Sequence, residues 1–519
     1  MLRLKPFASS RKVRSGVGGA LSGLFVWAVI GVGWTAPPTL DALMPSGGKA
    51  GSEAMELTLT GKSDPWPISF WCSNPKVSFS AGEKAGVCQV SIKPDSPVGP
   101  CWVRSFNAEG VSDPRLFVVG KWREMQEDAK TENDNAASAI DVGALPVVVN
   151  GKLEKSDDVD AWKVSLKAGQ TLHARLDGYS LRSGIDPFLH LSDANGVRLA
   201  TGSDNPRNLD PRLEVPITRD GDYVVSIMAI ASPPNANINF HGAAGAVWRL
   251  TLATEPITEE SSGVGDIDES GADTLPPSGE MVLNLPLTGW GTLTNVGETD
   301  RIRFSAVKGQ AVRIAVEAMK HGFPTDPVLV LEKADGSTIR EVDDTKTDRD
   351  AEYLYTIPAD GDYAVKVADR FGRGGKDLRY QLEINESKPD FVARPEKSAF
   401  SGKPGETVGV KLAITRTAGH VAPISVAVDG LPKGVKIEPL VIAEKVAAGE
   451  LKVTIAADAE PFSGPISIKL TEKVDANPKT HLASFTFQDA NARGPYLIDE
   501  IDSIWLSVLP KPEKDDKKN

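Results

Sequence analysis

The dominant pattern in the chain is a two-residue alternation of hydrophobic and polar positions. It places Trp162, Val164 and Leu166 on one face of a segment, and Ile302 and Phe304 on one face of another. A period of two is the pattern of a β-strand with one buried face. Turns rich in Gly, Pro, Asn and Asp separate such segments, and no helical period of useful length interrupts them. The chain is therefore predicted to be all-β.

An internal repeat organises the middle of the chain. An offset of 140 residues carries Gly151 onto Gly291 and Asp160 onto Asp300. The last predicted strand matches at an offset of 132 instead, which gives the first copy a longer loop. Each copy is predicted to be a small antiparallel sandwich of about 100 residues. The first offset also matches Gly169-Gln170 with Gly309-Gln310, Asp186-Pro187 with Asp326-Pro327, and Asp220-Gly221-Asp222-Tyr223 with Asp360-Gly361-Asp362-Tyr363.

Further short strands flank the repeats and predict an immunoglobulin-like sandwich on each side. The predicted fold is thus a tandem array of four β-sandwiches. Its segments are an export segment (1–36), an immunoglobulin-like sandwich (37–120), the first repeat with its N-terminal linker (121–254), an acidic linker (255–280), the second repeat (281–386), a second immunoglobulin-like sandwich (387–510) and a charged tail (511–519).

Composition is ordinary for folded domains, but the charge excludes one class of partner. Hydrophobic residues make up 40% and charged residues 25% of the 519 residues, and the net charge is −12. Five basic residues lie in the export segment, so its removal leaves a still more acidic chain. An acidic surface repels phosphate backbones, so no nucleic-acid partner is expected.

The N-terminus has the pattern of an export signal. A basic stretch from Arg3 to Arg14 leads into the apolar run 16–36. That order is typical of a cleaved signal peptide, yet the run is also long enough to serve as a single N-terminal membrane anchor. Both alternatives place the remaining chain outside the cytoplasm, in the periplasm, at the cell surface or in the medium.

Three cysteines fall close together in the first sandwich: Cys72, Cys88 and Cys101. In an oxidising compartment two of them could pair and leave the third free. Cys88 could pair with either of the others, and the sequence does not choose between these pairings. A metal site is not indicated, because CxxC spacing is absent and no histidine lies near.

The two repeats resemble bacterial pre-peptidase C-terminal domains, over about residues 130–254 and 281–386. The resemblance rests on Glu132-Asn133-Asp134, on Asp157-Asp158-Val159-Asp160-Ala161-Trp162 and on the Asp220-Gly221-Asp222-Tyr223 turn. The flanking sandwiches resemble the immunoglobulin-like domains that accompany this family in exported proteins of planctomycete type. The resemblance implies a secreted module, known from peptidases and from collagen-binding segments.

The same resemblance implies a calcium site in the first repeat. Its ligands would be Glu132, Asn133, Asp134, Asp157 and Asp160, hard oxygen donors of the kind that Ca²⁺ takes. The second repeat lacks the upstream Glu-Asn-Asp and has Val296-Gly297 in place of Ser156-Asp157. The alternative is that these acids cap turns and bond loop N–H groups.

No catalytic constellation is recognisable. None of the six histidines lies in an HExxH motif or beside a GxSxG turn. Most aromatic residues, such as Phe70, Trp71 and Trp102, are predicted to pack in cores. Trp66 is different because it lies in the loop Asp64-Pro65-Trp66-Pro67, where it could stack on a sugar or plug the sandwich.

The sequence therefore predicts a non-catalytic exported protein that binds a ligand or serves as a spacer. The expected ligand is a cell-surface polysaccharide or a protein matrix. The alternatives are an accessory module for a secreted peptidase and an enzyme of unrecognised type.

Overall fold

The structure is a computed structural model that describes residues 36–128, 130–205, 208–234, 239–257, 282–345, 349–474, 476–491 and 494–511. Nearly all of the predicted export segment lies outside these residues, as do most of the acidic linker and nearly all of the charged tail. Among the described residues, no helix combines the length and apolar character needed to cross a membrane.

The N-terminal sandwich packs a sheet of order β1-β3-β6-β5 on a sheet of order β2-β9-β7-β4, with β8 added to β7. Its core includes Leu57, Val90 and Phe117, each fully buried. The strands are β1 Ala42–Met44, β2 Gly47–Lys49, β3 Met55–Thr60, β4 Ser69–Cys72, β5 Val77–Ala81, β6 Val87–Ile92, β7 Gly99–Asn107, β8 Gly110–Val111 and β9 Arg115–Gly120.

The first repeat packs a sheet of order β10-β12-β19-β14-β17 on one of order β11-β13-β18-β15-β16. The alternating residues Trp162, Val164 and Leu166 are buried, as predicted. The strands are β10 Arg123–Gln126, β11 Ile140–Asp141, β12 Val147–Lys152, β13 Asp160–Leu166, β14 Thr171–Asp177, β15 Ile185–Asp193, β16 Arg198–Gly202, β17 Arg212–Pro216, β18 Gly221–Ala231 and β19 Val247–Ala253.

The second repeat has sheets of order β20-β22-β27-β24-β25 and β21-β28-β23-β26, which match those of the first repeat except that no strand corresponds to β10 among the described residues. A short 3-10 turn, Met319–His321, follows β23. The strands are β20 Val282–Leu283, β21 Leu287–Thr292, β22 Thr299–Ala306, β23 Ala311–Glu317, β24 Pro327–Lys333, β25 Thr338–Val342, β26 Ala351–Thr356, β27 Gly361–Asp369 and β28 Arg379–Glu386.

The C-terminal sandwich packs a sheet of order β29-β31-β35-β33 on one of order β30-β40-β36-β32-β34, and it adds the hairpin β38-β39. The strands are β29 Asp390–Pro395, β30 Ala399–Gly402, β31 Thr407–Thr417, β32 Ile424–Asp429, β33 Val435–Ile437, β34 Leu440–Ile442, β35 Ala448–Ile455, β36 Phe462–Glu472, β37 Thr480–Leu482, β38 Phe485–Asn491, β39 Gly494–Ile501 and β40 Ile504–Val508.

These sheets confirm the predicted all-β fold of tandem β-sandwiches. The repeats are not wholly antiparallel, however. β11 pairs in parallel with β13, and β20 pairs in parallel with β22. Along the chain, one strand of the facing sheet lies between the two members of each parallel pair. The chain therefore reverses direction twice between them, and the second member runs in the same direction as the first.

The repeated glycine at the first offset makes room for an aromatic ring. A Cβ on Gly151 would lie 2.1 Å from Cζ2 of Trp248, and one on Gly291 would lie 2.3 Å from Cζ of Tyr380. The rings belong to β19 and β28, which pair with the glycine strands β12 and β21. Glycine recurs here because the paired strand lays a large ring across its Cα.

We expect Gly151→Ala to destabilise the first repeat by about 2 kcal/mol, because the added methyl group must displace a packed Trp248. Gly245→Ala is the matched control, since a Cβ there meets nothing within 4 Å. Chemical denaturation of both variants checks the prediction. Equal stability of the two variants would contradict it.

A buried aspartate closes a loop in each repeat. Asp210 accepts the backbone N–H groups of Gly178, Tyr179 and Ser180 at 2.7, 2.7 and 3.0 Å. Asp350, at the offset of 140, accepts three consecutive backbone N–H groups in the second repeat, from residues 318, 319 and 320, at 2.8 to 2.9 Å. The backbone that leaves β14 or β23 is therefore held by one carboxylate.

Candidate functional site

Three of the five residues of the predicted calcium site are exposed to solvent. Glu132 and Asp134 are exposed. Asp157 is also exposed and has a φ of 63°. Its carboxylate accepts hydrogen bonds from the side-chain amide of Asn239 at 3.0 Å and from the backbone N–H of Phe240 at 3.2 Å. Asp157 thus holds the long loop of the first repeat, as the turn-capping alternative predicts.

The other two predicted ligands are buried beside an acid that the sequence analysis missed. Asn133 donates from Nδ2 to Oε1 of Glu127 at 3.1 Å, and the Glu127 Oε2 accepts the Lys152 N–H at 2.9 Å. The Glu127 carboxyl lies close enough to Asp160 to raise the pKa of that aspartate. A fourth polar group, Asp158, is 7% exposed.

Burial shapes the protonation of this cluster. Removal from water, followed by the nearby Glu127 carboxylate, raises the pKa of Asp160 far above its usual range. Burial also raises the pKa of Glu127. Asp160 is buried and Glu127 is half-buried. Two adjacent acids with so little access to water share a proton or require a cation, because two adjacent charges in a low-dielectric site are costly.

A structural role accounts for Asp160 of the first repeat and for its counterpart Asp300 in the second. Its Oδ2 accepts the indole N–H of Trp248 at 2.8 Å, and Asp300 likewise accepts the Tyr380 hydroxyl at 2.7 Å. Over the described part of the chain, no group of three His, Cys, Asp or Glu side chains is arranged to hold a metal ion. Calcium binding therefore stays a prediction, now with Glu127 among the oxygen donors.

Trp66 is partly buried rather than presented as an open platform. Its indole N–H donates to the carbonyl of Gly82 at 2.9 Å. The flanking Pro65 and Pro67 line a groove of about 420 Å³ that Phe462 of the C-terminal sandwich also borders. The loop therefore contributes prolines, more than the tryptophan ring, to the accessible surface.

The N-terminal and C-terminal sandwiches pack directly on each other. Trp505 of β40 lies 5.7 Å from the Trp71 ring and 5.3 Å from the Phe106 ring, centroid to centroid. Trp102 lies 5.1 Å from Phe487. These contacts correct the prediction for Trp71 and Trp102, which pack against another sandwich rather than inside their own.

A buried arginine lies at the same junction. Arg104 is 0% exposed and donates to the carbonyls of Ser112 at 2.8 Å and Ser398 at 3.2 Å, with its guanidinium 5.9 Å from the Trp505 ring centre. Burial lowers the pKa of Arg104 to about 10. One guanidinium thus donates hydrogen bonds to a backbone carbonyl of the N-terminal sandwich and to one of the C-terminal sandwich.

A pocket of about 580 Å³ opens where the first repeat meets this junction. Arg182 of the first repeat lies 4.5 Å from the Phe487 ring centre and donates to the carbonyl of Pro114 at 3.1 Å. Burial, opposed by Asp113, lowers the pKa of Arg182. The pocket therefore combines aromatic faces with donors and acceptors. Its lining residues include Asp113, Tyr179, Arg182, Lys397, Phe485, Thr486 and Phe487.

Two histidines of the C-terminal sandwich are paired with acids. His420 lies 2.7 Å from Glu472, and His481 lies 2.7 Å from Asp390. Within the described ranges, no histidine hydrogen-bonds to a serine, threonine or cysteine side chain. The first pair joins the turn after β31 to β36, and the second joins β29 to β37.

No protein-family model matches the chain, and no curated protein matches it. Among solved structures, the pre-peptidase C-terminal domain of a collagenase from Bacillus anthracis is similar at 17% identity, covering 21% of this chain and 98% of that chain with a TM-score of 0.18. Fibronectin(III)-like modules of CbhA from Clostridium thermocellum are similar at 17% identity over 34% of this chain and 85% of that chain, with a TM-score of 0.13.

A third similarity is to the M60 catalytic domain with two CBM51 domains of ZmpB from Clostridium perfringens. The identity is 8%, with 65% of this chain and 54% of that chain covered and a TM-score of 0.15. TM-scores this low carry no argument about function, so the functional conclusion depends on the chain's own geometry.

Proposed function

We propose that the protein is a non-catalytic, exported binding protein whose ligand contacts the pocket at the junction of three sandwiches. The observation that carries this proposal is the pocket itself, which Tyr179, Phe485 and Phe487 line together with Arg182 and Lys397. Aromatic faces with a few polar groups are the usual lining of a ligand site. A polysaccharide of the cell surface or an extended segment of matrix protein fits such a lining.

The fold supports binding more directly than catalysis. The three sandwiches that form the pocket meet through buried rings and through Arg104, so the pocket walls are held in place before a ligand arrives. A preorganised site loses less conformational entropy on binding. The histidine–acid pairs described above offer no activated nucleophile for chemistry.

The test is a pull-down of residues 37–519 against cell-wall fractions, polysaccharides and collagen, with and without Ca²⁺. We expect retention on one of these matrices, and we expect Lys397→Ala to weaken it at least several-fold. Lys397 is exposed and lines the pocket. Lys433→Ala is the control, because this lysine is equally exposed in the same sandwich but outside the pocket lining.

Either of two results would overturn the proposal. Retention that is equal for both variants would move the binding site elsewhere. Absence of retention on every matrix would favour the alternative role as an accessory module of a secreted peptidase, which co-purification with such a peptidase would then test.

Calcium binding by the first repeat is a further part of the proposal. Asp160 is buried, Glu127 is half-buried beside it, and the side-chain amide of Asn133 donates to Glu127. Calorimetric titration of the whole chain with CaCl₂ should show one event that Glu127→Gln weakens. Absence of heat and of any shift in melting temperature would end the calcium proposal without affecting the pocket.

A further inference from the structure

Two of the three cysteines lie side by side on one sheet of the N-terminal sandwich. Cys72 ends β4 and is paired in register with Val103 of β7. Cys101 stands two residues from Val103 on the same strand, so its side chain leaves the same face of the sheet. The neighbouring Cys101 lowers the pKa of the Cys72 thiol, and the Cys101 thiol itself donates to the carbonyl of Phe117 at 3.2 Å.

The third cysteine has a different environment. Cys88 lies on β6 in the facing sheet and is fully buried in the core. Burial alone raises the pKa of its thiol to about 12, with no contribution from another thiol. Thiolate is the reactive form, so Cys88 is chemically inert while the sandwich is folded.

We propose that Cys72 and Cys101 form a redox site that closes to a disulfide within one sheet, while Cys88 stays a thiol. This pair differs from both pairings that the sequence left open, each of which includes Cys88. The oxidant is a disulfide of the thiol–disulfide oxidoreductase class, which exported proteins meet in oxidising compartments.

The exchange balances with one oxidant disulfide. Cys72 is the partly exposed member and loses its proton first, because the neighbouring Cys101 side chain lowers its pKa. Its thiolate attacks the oxidant and forms a mixed disulfide, releasing one oxidant thiol. Cys101 then attacks the Cys72 sulfur and releases the second oxidant thiol. Each cysteine sulfur loses one electron, and the two thiol protons pass to the released oxidant thiols.

The disulfide would join the two strands that dock on the C-terminal sandwich. Trp71, beside Cys72 on β4, packs on Trp505, and Trp102, beside Cys101 on β7, packs on Phe487. The backbone N–H of Trp102 also donates to Oγ of Ser73 at 2.8 Å. A covalent link between β4 and β7 therefore holds the docking face together, in addition to restricting the unfolded chain.

The test is a thiol count on the full chain, unfolded after treatment with either glutathione disulfide or excess dithiothreitol. The reduced protein should show its three thiols. The oxidised protein should show one, and peptide mapping should find Cys72 linked to Cys101. Cys88→Ser should keep the link and show no thiol after oxidation, whereas Cys72→Ser should keep two thiols under both conditions.

A second measurement separates the redox site from an accidental cross-link formed during unfolding. The oxidised chain should melt several degrees higher than the reduced chain, and Cys88→Ser should retain this difference while Cys101→Ser loses it. Three thiols after oxidation, a link that includes Cys88, or equal melting temperatures of the oxidised and reduced chains would each overturn the proposal.

Discussion

Replacing Trp505 with alanine should lower the free energy of unfolding by about 4 kcal/mol and loosen the N-terminal sandwich as well as the C-terminal one. Trp505 is 1% exposed, and its ring contacts Trp71 and Phe106 of the N-terminal sandwich. Its indole N–H donates to Oγ of Ser463 at 3.0 Å. The substitution leaves a cavity between the sandwiches and removes the aromatic neighbour of the buried Arg104.

Hydrogen exchange gives this prediction its specific readout. Amides of β4 and β7 should exchange faster in Trp505→Ala, although the substitution lies hundreds of residues away in sequence. Phe391→Ala is the control, because Phe391 is equally buried but lies in the core of the C-terminal sandwich. That variant should lose similar stability while leaving β4 and β7 unchanged. The same exchange pattern for both variants would contradict the role of Trp505 at the junction.

Replacing Asp210 with alanine should destabilise the first repeat by about 4 kcal/mol. The carboxylate is 4% exposed and accepts three backbone N–H groups, which would lose their partner in a site with little access to water. Asp350→Ala should have a similar effect in the second repeat. The control is Asp220→Ala, because Asp220 is exposed and should change stability by less than about 1 kcal/mol.

The same aspartate should make the stability depend on pH. Burial, followed by repulsion from Asp177, raises the pKa of Asp210 to about 6, above its value of about 4 in an unfolded chain. Between these values the folded state holds a proton that the unfolded state has lost. The contribution of Asp210 to the unfolding free energy is therefore complete below pH ~4, and about 3 kcal/mol of it is lost as the pH rises through 6.

Asp210→Asn isolates this effect, because asparagine keeps a carbonyl acceptor and does not titrate. The difference in unfolding free energy between the protein and this variant should fall between pH ~4 and ~6 and level off above. Denaturant melts at several pH values measure it. A difference that is constant with pH would show that Asp210 keeps an ordinary pKa in the folded protein.

The residues that recur at the offset of 140 were identified from the sequence, and the structure explains why they recur. Glycine at 151 and 291 and the acids at 160 and 300 recur because a paired aromatic strand occupies the same space in both copies. The offset of 140 therefore detects positions that the fold constrains. The calcium site stays a prediction; the acids that the resemblance named for it include the exposed Glu132, Asp134 and Asp157 and do not include Glu127.

Glu127 was not predictable because its place depends on pairing between segments. It follows β10, which pairs in parallel with β12, and this pairing sets the acid beside Lys152 and Asp160. The linear sequence gives only its distance from Asn133. An acid in an irregular segment can face solvent or core, and only the docking of that segment decides which.

Local sequence by itself determined the all-β class, the position of the strands and the repeat, because alternation and turn chemistry act between near neighbours. The tertiary structure alone decided which surface each buried side chain meets. Alternation places Trp71, Trp102 and Cys101 on sheet faces, but it does not say whether the facing layer is the same sandwich or another. That choice depends on strand order, on register and on the return of the C-terminal sandwich to the N-terminal one, which are contacts between residues far apart in the chain.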